Sequence, residues 1–540
     1  MKKILLLALA ICSLGAVNEL CLNAQTIEDG VLTDARSVKG RYEIPATVTK
    51  IADFAFFQGS VSEVVIPASV KEIGLCAFYE CTNLVKVEFA PNSRLETMGD
   101  QVFDSCTKLT SINLPSGVRK MGHNTFYSDS ALLSVVLPEQ LEVLPPYTFQ
   151  SCYKLAQVTI PVGTKVLSEN AFSGCRGLTS VAMHGVDSIA TKAFYGCLRL
   201  ESITFPKTLR IVADSAFMNC TALTEVTYPK SLTFSGARVF RGCTQLKSIK
   251  VESGNPYLKS ENGVLYSQDG ATLFECPAQF ASDKYTLANT VKVIRPYAFF
   301  ECSLVKGIEI PATIERIGLA ALACNGIAEF SFEGNDRYTV HQGGIYYNTQ
   351  DKDGNAVKVA LAYPSKREGD HTVMDGTLLV AQYAFAGCSG LKHLTLPASL
   401  LQLDTMSLSG CTGLTDISAY PMTPPSTKAG CFLGVYQPRV SLHVQTAALQ
   451  AYAMHSEWML FNFGADLGAV ANPVVEQAET SWCRTDRGVD LFPKEGGEYR
   501  LYDYSGRIIA WGEVRMGEVL HLDVQQLPAL LVLPEGTIKL

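Results

Sequence analysis

The chain has 540 residues, of which 47% are hydrophobic and 18% charged, with a formal net charge of −7 at neutral pH. It has no Lys/Arg-rich run of the kind that neutralises phosphates, which argues against nucleic acid as a partner. The length allows several domains, although a regular repeat array can form one continuous unit.

In chain order, the first feature is a secretory signal. Lys2 and Lys3 supply the positive start and Ile4 to Val17 the short apolar run, and Leu22-Asn23-Ala24 offers a cut that leaves Gln25 first. The apolar run is shorter than the roughly 20 residues needed to span a bilayer. Cys12 follows Ile11 and Cys21 follows Leu20, so neither has the small residue that precedes a lipid-modified cysteine. Residues 1–24 are therefore expected to be cleaved and the protein exported, with no transmembrane segment after cleavage.

From Phe56 onward the chain repeats. Phenylalanine stands at 56, 78, 103, 126, 149, 172, 194, 217 and 240, then at 299 and 385, and the commonest spacing is 23 residues. Cysteine follows three positions later and proline twelve, as in Phe103, Cys106, Leu109, Ile112, Leu114, Pro115. A fixed period of this size signals a solenoid or propeller. The stretch Leu-x-x-Ile-x-Leu-Pro alternates like a half-buried strand, and the proline ends it where a ladder donor is lost. A second short apolar segment, such as Val118 to Met121, leads into the turn that carries the phenylalanine. Some units are irregular: His184 replaces proline, and Leu322 and Leu408 stand where phenylalanine is due. No unit can bury its inward column alone, so neighbouring coils must cover it.

Two longer stretches interrupt the period, at 253–293 and 333–380. The first contains Asn255, Tyr257, Gly263 to Tyr266, Asp269-Gly270 and Cys276-Pro277; the second contains Asn335, Tyr338, Gly344 to Tyr347, Asp353-Gly354 and Tyr363-Pro364. In each, an Asp-Gly step between β-prone runs predicts a hairpin that keeps the sheet going while widening the coil. Asp351 to Asn355 has the look of a calcium loop, but the glycine is misplaced and the final glutamate missing, so a plain turn is expected. Pro421 to Pro425 then breaks the pattern, and residues 421–465 are expected to cap the array with a strand and a helix. Residues 466–478 read as a linker. From 479 to 540 short alternating runs predict a small separate β-sandwich.

Seventeen cysteines in an exported chain would ordinarily suggest disulfides. Ten of them (Cys81, Cys106, Cys152, Cys175, Cys197, Cys220, Cys243, Cys302, Cys388, Cys411) share one place in the repeat. Stacked side chains there run parallel, which gives the wrong Cβ–S–S–Cβ twist. Asp129 and Gly59 interrupt the column, as a disulfide ladder would not allow, so buried free thiols are expected. No CxxC or Cys/His cluster suggests a metal. The eight histidines form no HExxH motif, and no phosphate loop or nucleophile elbow occurs. Neither an enzyme nor a cofactor is expected.

The repeat predicts what the strand face presents. The column eight residues after phenylalanine reads Lys86, Ser111, Ser134, Gln157, Ser180, Ser202, Glu225, Ser248, and the column at ten reads Glu88, Asn113, Val136, Thr159, Ala182, Thr204, Thr227, Lys250. This hydroxyl-rich, nearly neutral face has no aromatic platform for sugars and no Trp/Tyr/Arg anchors. Aromatic residues concentrate in the insertions. The candidate ligand contacts are therefore Tyr257, Tyr266, Tyr338, Tyr346 and Tyr347, with Ser111, Ser134, Ser180, Ser202 and Ser248 on the strand face.

Ala171-Phe172-Ser173-Gly174-Cys175-Arg176-Gly177-Leu178 and Ala384-Phe385-Ala386-Gly387-Cys388-Ser389-Gly390-Leu391 resemble the repeat of the BspA-like leucine-rich repeat family. The resemblance covers roughly residues 40 to 465. It implies a right-handed, leucine-rich-repeat-like solenoid of short strands and turns, and a secreted or cell-surface binding protein. The partner it implies is an extracellular protein or cell-surface macromolecule, engaged in adhesion to host matrix or to other cells. Capture of glycans or nutrients at the outer surface is the alternative. The stretch Tyr499 to Arg507, with Tyr502, Asp503, Gly506 and Arg507, resembles the C-terminal sorting domain of the type IX secretion system of Bacteroidetes. That likeness implies the secretion machinery as a second partner and the bacterial outer surface as destination.

Overall fold

The computed structural model describes residues 25–465 and 467, together with the backbone of strands Ser481–Thr485, Gly488–Phe492, Gly497–Tyr502, Ile508–Val514, Leu520–Leu522, Leu530–Leu533 and Gly536–Lys539. The expected signal at 1–24, all of the linker 466–478 except Leu467, and the sorting-motif residues Asp503, Gly506 and Arg507 lie outside the described residues; so does the side chain of Tyr502. Contacts divide the chain into two compact units, Met1–Gly468 and Ala469–Leu540.

Unit one is a parallel β-solenoid with almost no helix. One coil shows how the sequence builds it. In Gln157–Ile160 the side chains alternate: Val158 and Ile160 are buried, Gln157 and Thr159 exposed. The next coil lays Ser180–Met183 beside it in parallel register, Gln157 on Ser180 and Ile160 on Met183. After the proline corner the two-residue strand Val166–Leu167 pairs with Val143–Leu144 on one side and Ser188–Ile189 on the other. Each coil thus feeds a long-strand sheet and a short-strand sheet.

The phenylalanine turn closes the coil. Its rings form an unbroken column from Phe56 to Phe240: Phe126 and Phe149 lie 5.4 Å apart and 2° from parallel, Phe172 and Phe194 5.2 Å and 3°. The spacing follows the coil repeat of about 4.8 Å between hydrogen-bonded strands. The turn has its own ladder. Phe149 N–H donates to the Ala171 carbonyl at 2.8 Å, and Phe172 N–H to Ala193 at 2.8 Å. Residues two before and two after the ring adopt positive φ, as in Asn170 (54°) and Gly174 (73°). The earlier position is held even by Phe54, Tyr147, Arg238 and Tyr383. This left-handed conformation costs an L-residue about 1–2 kcal/mol, and the inter-coil ladder and ring burial offset it.

All fourteen cysteines among the described residues are free and buried. At eight of the ten column positions the thiol donates to the carbonyl of the phenylalanine one coil back, as Cys175 to Phe149 and Cys152 to Phe126, both at 3.0 Å, and Cys220 to Phe194 at 3.1 Å; after the insertions Cys302 turns to the Cys276 carbonyl and Cys388 to that of Pro364. Cysteine suits the place because it is a small hydrophobe with a weak donor. Burial pushes the thiols far up, to about 12 at Cys81. Asp129 stands in the same column; its Oδ1 accepts the Cys106 N–H at 2.7 Å, and burial raises its carboxyl well above the usual range.

The insertions depart from expectation. Each is a three-stranded meander, and each ends one short-strand sheet and begins another. The first short-strand run after residue 143 stops at Phe234–Ser235, and a new sheet starts with Leu258–Glu261 antiparallel to Val264–Ser267, continuing to Thr272–Glu275 and then in parallel to Val293–Ile294. The second stops at Arg316–Ile317 and restarts with Tyr338–His341 antiparallel to Gly344–Gln350. The chain's described start repeats the device, Thr26–Glu28 pairing antiparallel with Val31–Asp34 around Asp29-Gly30. The sheet is therefore interrupted, and the hydrophobic core falls into three clusters that follow the three segments. Asp351 is a plain turn residue: its Oδ1 accepts the N–H groups of Asp353 and Asn355, both at 2.9 Å.

The array runs one turn further than the sequence suggested. Leu408 and Phe432 continue the ring column, Leu408 N–H donating to the Cys431 carbonyl at 3.0 Å. The cap that follows holds the strand Ser441–Val444 and a helix of only five residues, Leu449–Ala453, flanked by 3-10 turns. Its anchors are the buried Tyr452, whose hydroxyl donates to the Pro421 carbonyl (3.1 Å), and Trp458, whose Nε1 donates to that of Pro425 (2.9 Å). Unit two consists of two antiparallel sheets, one of three strands and one of four.

Candidate binding surfaces

Three surfaces emerge: the outward face of the long strands, the two breaks in the short-strand sheet, and the turn edge beside those breaks. On the long-strand face Ser111, Ser134 and Ser202 are exposed, while Ser180 and Ser248 are half-buried. Its middle is short and uncharged, with ion pairs at either end, such as Arg41 with Glu63 (3.2 Å) and Lys250 with Glu225 (2.8 Å). Near the C-terminal end the same face carries an acid–base ladder that composition did not reveal. His393 sits between Asp370 (2.6 Å) and Asp416 (3.1 Å), and His443 Nε2 approaches the other Asp416 oxygen at 3.3 Å. The register Asp370–His393–Asp416 places them in one column.

Most of the insertion tyrosines are core. Tyr266, Tyr338 and Tyr346 are 4%, 3% and 1% exposed. Their hydroxyls serve the fold: Tyr266 meets Tyr285 (2.5 Å), Tyr338 accepts the Ile317 N–H (2.8 Å), and Tyr346 meets His371 Nε2 (2.9 Å). Tyr266 and Tyr346 lie on stretches buried on both faces, Val264 to Tyr266 and Gly344 to Tyr346, which leaves little of either ring for a ligand, whereas Tyr338 is the buried first residue of its strand. Tyr347 is half-buried, and Tyr257 is 54% exposed.

Each break opens a groove. The first, about 670 Å³, is lined by Lys207, Arg210, Lys230, Thr233, Glu252 and Tyr257 among others. The second, about 540 Å³, includes Glu315, Arg316, Arg337, Tyr338 and Tyr347. The two are built alike. Asn255 Oδ1 accepts the N–H groups of Tyr257 and Leu258, and Asn335 Oδ1 those of Arg337 and Tyr338. Each asparagine's Nδ2 donates back to the preceding coil, to Pro229 and Leu232 in one case and Ala312 and Ile314 in the other. Tyr257 and Arg337 thus occupy equivalent lips.

On the turn edge, each break lacks one phenylalanine turn. At the first break carboxylates replace the missing acceptors: Glu275 takes the Phe240 N–H (3.1 Å) and Glu301 the Gly242 N–H (2.9 Å). Burial pushes Glu275 up to about 7, against the pull of that N–H and of Arg295. Arg241 fills the notch, 4.3 Å from the Phe300 ring centre and 4.9 Å from that of Tyr297, and donates to the Tyr383 hydroxyl at 3.2 Å. It joins the turns on both sides of the two insertions. Among the described residues no cluster of His, Cys, Asp and Glu could hold a metal ion.

A parallel solenoid whose coils carry a long and a short strand, with a recurring buried phenylalanine and thiol, has the form of a leucine-rich-repeat protein. The chain belongs to the BspA-type family: the pattern described as "BspA type Leucine rich repeat region (6 copies)" matches residues 25–156, 143–262, 274–350 and 372–454. No curated protein matches the chain. Among solved structures, a leucine-rich cell surface protein from Faecalibacterium prausnitzii is 22% identical, the match covering 75% of this chain and 95% of that one with a TM-score of 0.42. A leucine-rich repeat protein from Bacteroides ovatus is 19% identical over 83% and 99%, TM-score 0.39. That of T. pallidum is 25% identical over 38% and 90%, TM-score 0.31.

Proposed function

We propose that this is a non-enzymatic binding protein, secreted or held at a bacterial outer surface, that adheres to host matrix proteins or to other cells. The observation that carries the reading is the long-strand face. It is an extended, regularly spaced surface of small exposed side chains, to which many coils contribute and none dominates. BspA-type repeat proteins resemble cell-surface proteins that bind proteins. Among the described residues no helix is long and apolar enough to cross a membrane. In this reading the C-terminal unit serves export, its Tyr499 to Arg507 stretch engaging the type IX secretion machinery.

Such a face binds by accumulated contact, so affinity should decline gradually as exposed serines are replaced in groups. The test is a panel of purified matrix proteins against the full chain and variants carrying Ser111→Glu, Ser134→Glu and Ser202→Glu singly and together. Graded loss is expected. Complete loss from one substitution, or no binding to any protein on cells or matrix, would count against it.

A further inference from the structure

We infer that the groove at the first sheet break is a binding site for an acidic polysaccharide, a pyranose chain carrying regularly spaced sulfate or carboxylate groups. It goes beyond the protein-binding reading and uses a different part of the coil, the proline corner.

Three cations face one carboxylate in this groove. Lys207, Arg210 and Lys230 are exposed, and among the described residues none has an ion-pair partner, although other exposed lysines such as Lys250 and Lys292 do. Lys207 and Lys230 each follow the corner proline of successive coils, so their charges repeat along the solenoid axis at the coil spacing of about 5 Å. With Arg210 they line one open groove. That arrangement matches a line of anions better than one phosphate. Lys230 is also positioned: a Cβ at Gly254 would lie 3.5 Å from its ammonium, and Gly254 adopts φ +82°. That approach is ordinary van der Waals contact; it is the positive φ that calls for glycine at this turn.

The other wall suits sugar rings. Tyr257 stands at the lip, held by the Asn255 cap on its backbone, with its ring about half exposed. An aromatic face of this kind packs against the C–H face of a pyranose. Thr233 already donates its hydroxyl to the Arg210 carbonyl (3.0 Å), so its oxygen is left to accept from a sugar hydroxyl. Glu252, which takes the Lys230 N–H at 2.9 Å, is a second acceptor. A chain with both anions and hydroxyl donors satisfies this set, whereas an acidic peptide leaves the tyrosine wall and the carboxylate without a role.

The full chain should be titrated with a heparin octasaccharide, a polygalacturonate oligomer of similar length and a poly-glutamate peptide. Binding of one or both sugars is expected; which one distinguishes sulfate esters from uronates. The affinity should fall with salt, as charge pairing at an exposed site must. The double variant Lys207→Gln/Lys230→Gln should weaken it about tenfold or more, a loss of at least about 1.4 kcal/mol. Tyr257→Ala should weaken it severalfold, and Lys154→Gln, at an exposed lysine on the turn edge, should leave it unchanged. All four positions are on the surface, so the variants keep the fold, checked by thermal melting. Undiminished binding by the double variant, binding of neither sugar, or poly-glutamate binding as tightly with Tyr257→Ala silent would each overturn the assignment. The serine variants of the long-strand face should not alter sugar affinity, which keeps this test separate from that of the protein-binding face.

Discussion

His371 gives the sharpest prediction. It occupies an inward place on Gly369–Thr372, in register with Leu394 and Ile417, and is 1% exposed. Tyr363 lies 4.3 Å and Phe385 5.3 Å from its ring centre. Nε2 meets the Tyr346 hydroxyl, and Nδ1 has no partner among the described residues. Burial, with His341 and Arg367 nearby, lowers its pKa from 6.5 to about 3. The folded state thus refuses a proton that the unfolded chain accepts. Stability is complete above pH 6.5 and is lost as the pH falls toward 3. At pH 5 the linkage relation gives a loss of about 2 kcal/mol. His371→Leu, matching its column neighbour, removes the titration. Urea unfolding at pH 7.5 and 5.0, followed by hydrogen exchange over residues 340–395, should show the wild type losing about 2 kcal/mol more than the variant. Equal losses in both proteins would refute the account.

Phe172→Ala removes a fully buried ring stacked on both sides and should cost about 3–5 kcal/mol by chemical denaturation. A cost under about 1 kcal/mol would mean the column does not carry the core. The cysteine ladder predicts that Ellman's reagent labels no column thiol in the native protein, with labelling following unfolding and no disulfide forming on mild oxidation; rapid native labelling would contradict the burial. Arg241→Ala should raise hydrogen exchange in residues 295–302 and 381–388 while leaving 140–220 unchanged. Glu275→Gln keeps the acceptor for Phe240 and removes an acid whose folded pKa is raised; its stabilising effect should therefore grow as the pH rises above 4.5 toward 8, read from melts at both ends.

The solenoid was legible because Phe, Cys and Pro recur at fixed offsets, and any inward column repeated so often must stack. The Asp-Gly steps announced the insertions but not their role. Deciding whether the hairpins continue a sheet or restart one needs partners that local sequence does not name. The tyrosines misled for a related reason. Val264, Leu265 and Tyr266 are all buried, and a strand covered on both faces gives no alternation from which to read sides. Arg241 and Tyr383 lie 142 positions apart, so their contact has no sequence signal. The Asp370–His393–Asp416 column, by contrast, becomes readable once the register is known. Tyr257 remains the one candidate tyrosine that stands largely in solvent.

The antiparallel hairpins that open all three segments also bear on how the chain acquires its shape. Parallel coils can only be added to an existing edge, and closing the first one fixes a loop of more than twenty residues before any ladder rewards it. A hairpin closes over a few residues and forms on the microsecond scale. Thr26–Asp34, Leu258–Ser267 and Tyr338–Gln350 therefore each supply a ready-made edge from local contacts alone. Winding can therefore begin at three places along the chain, so that a stall in one segment would not hold up the next.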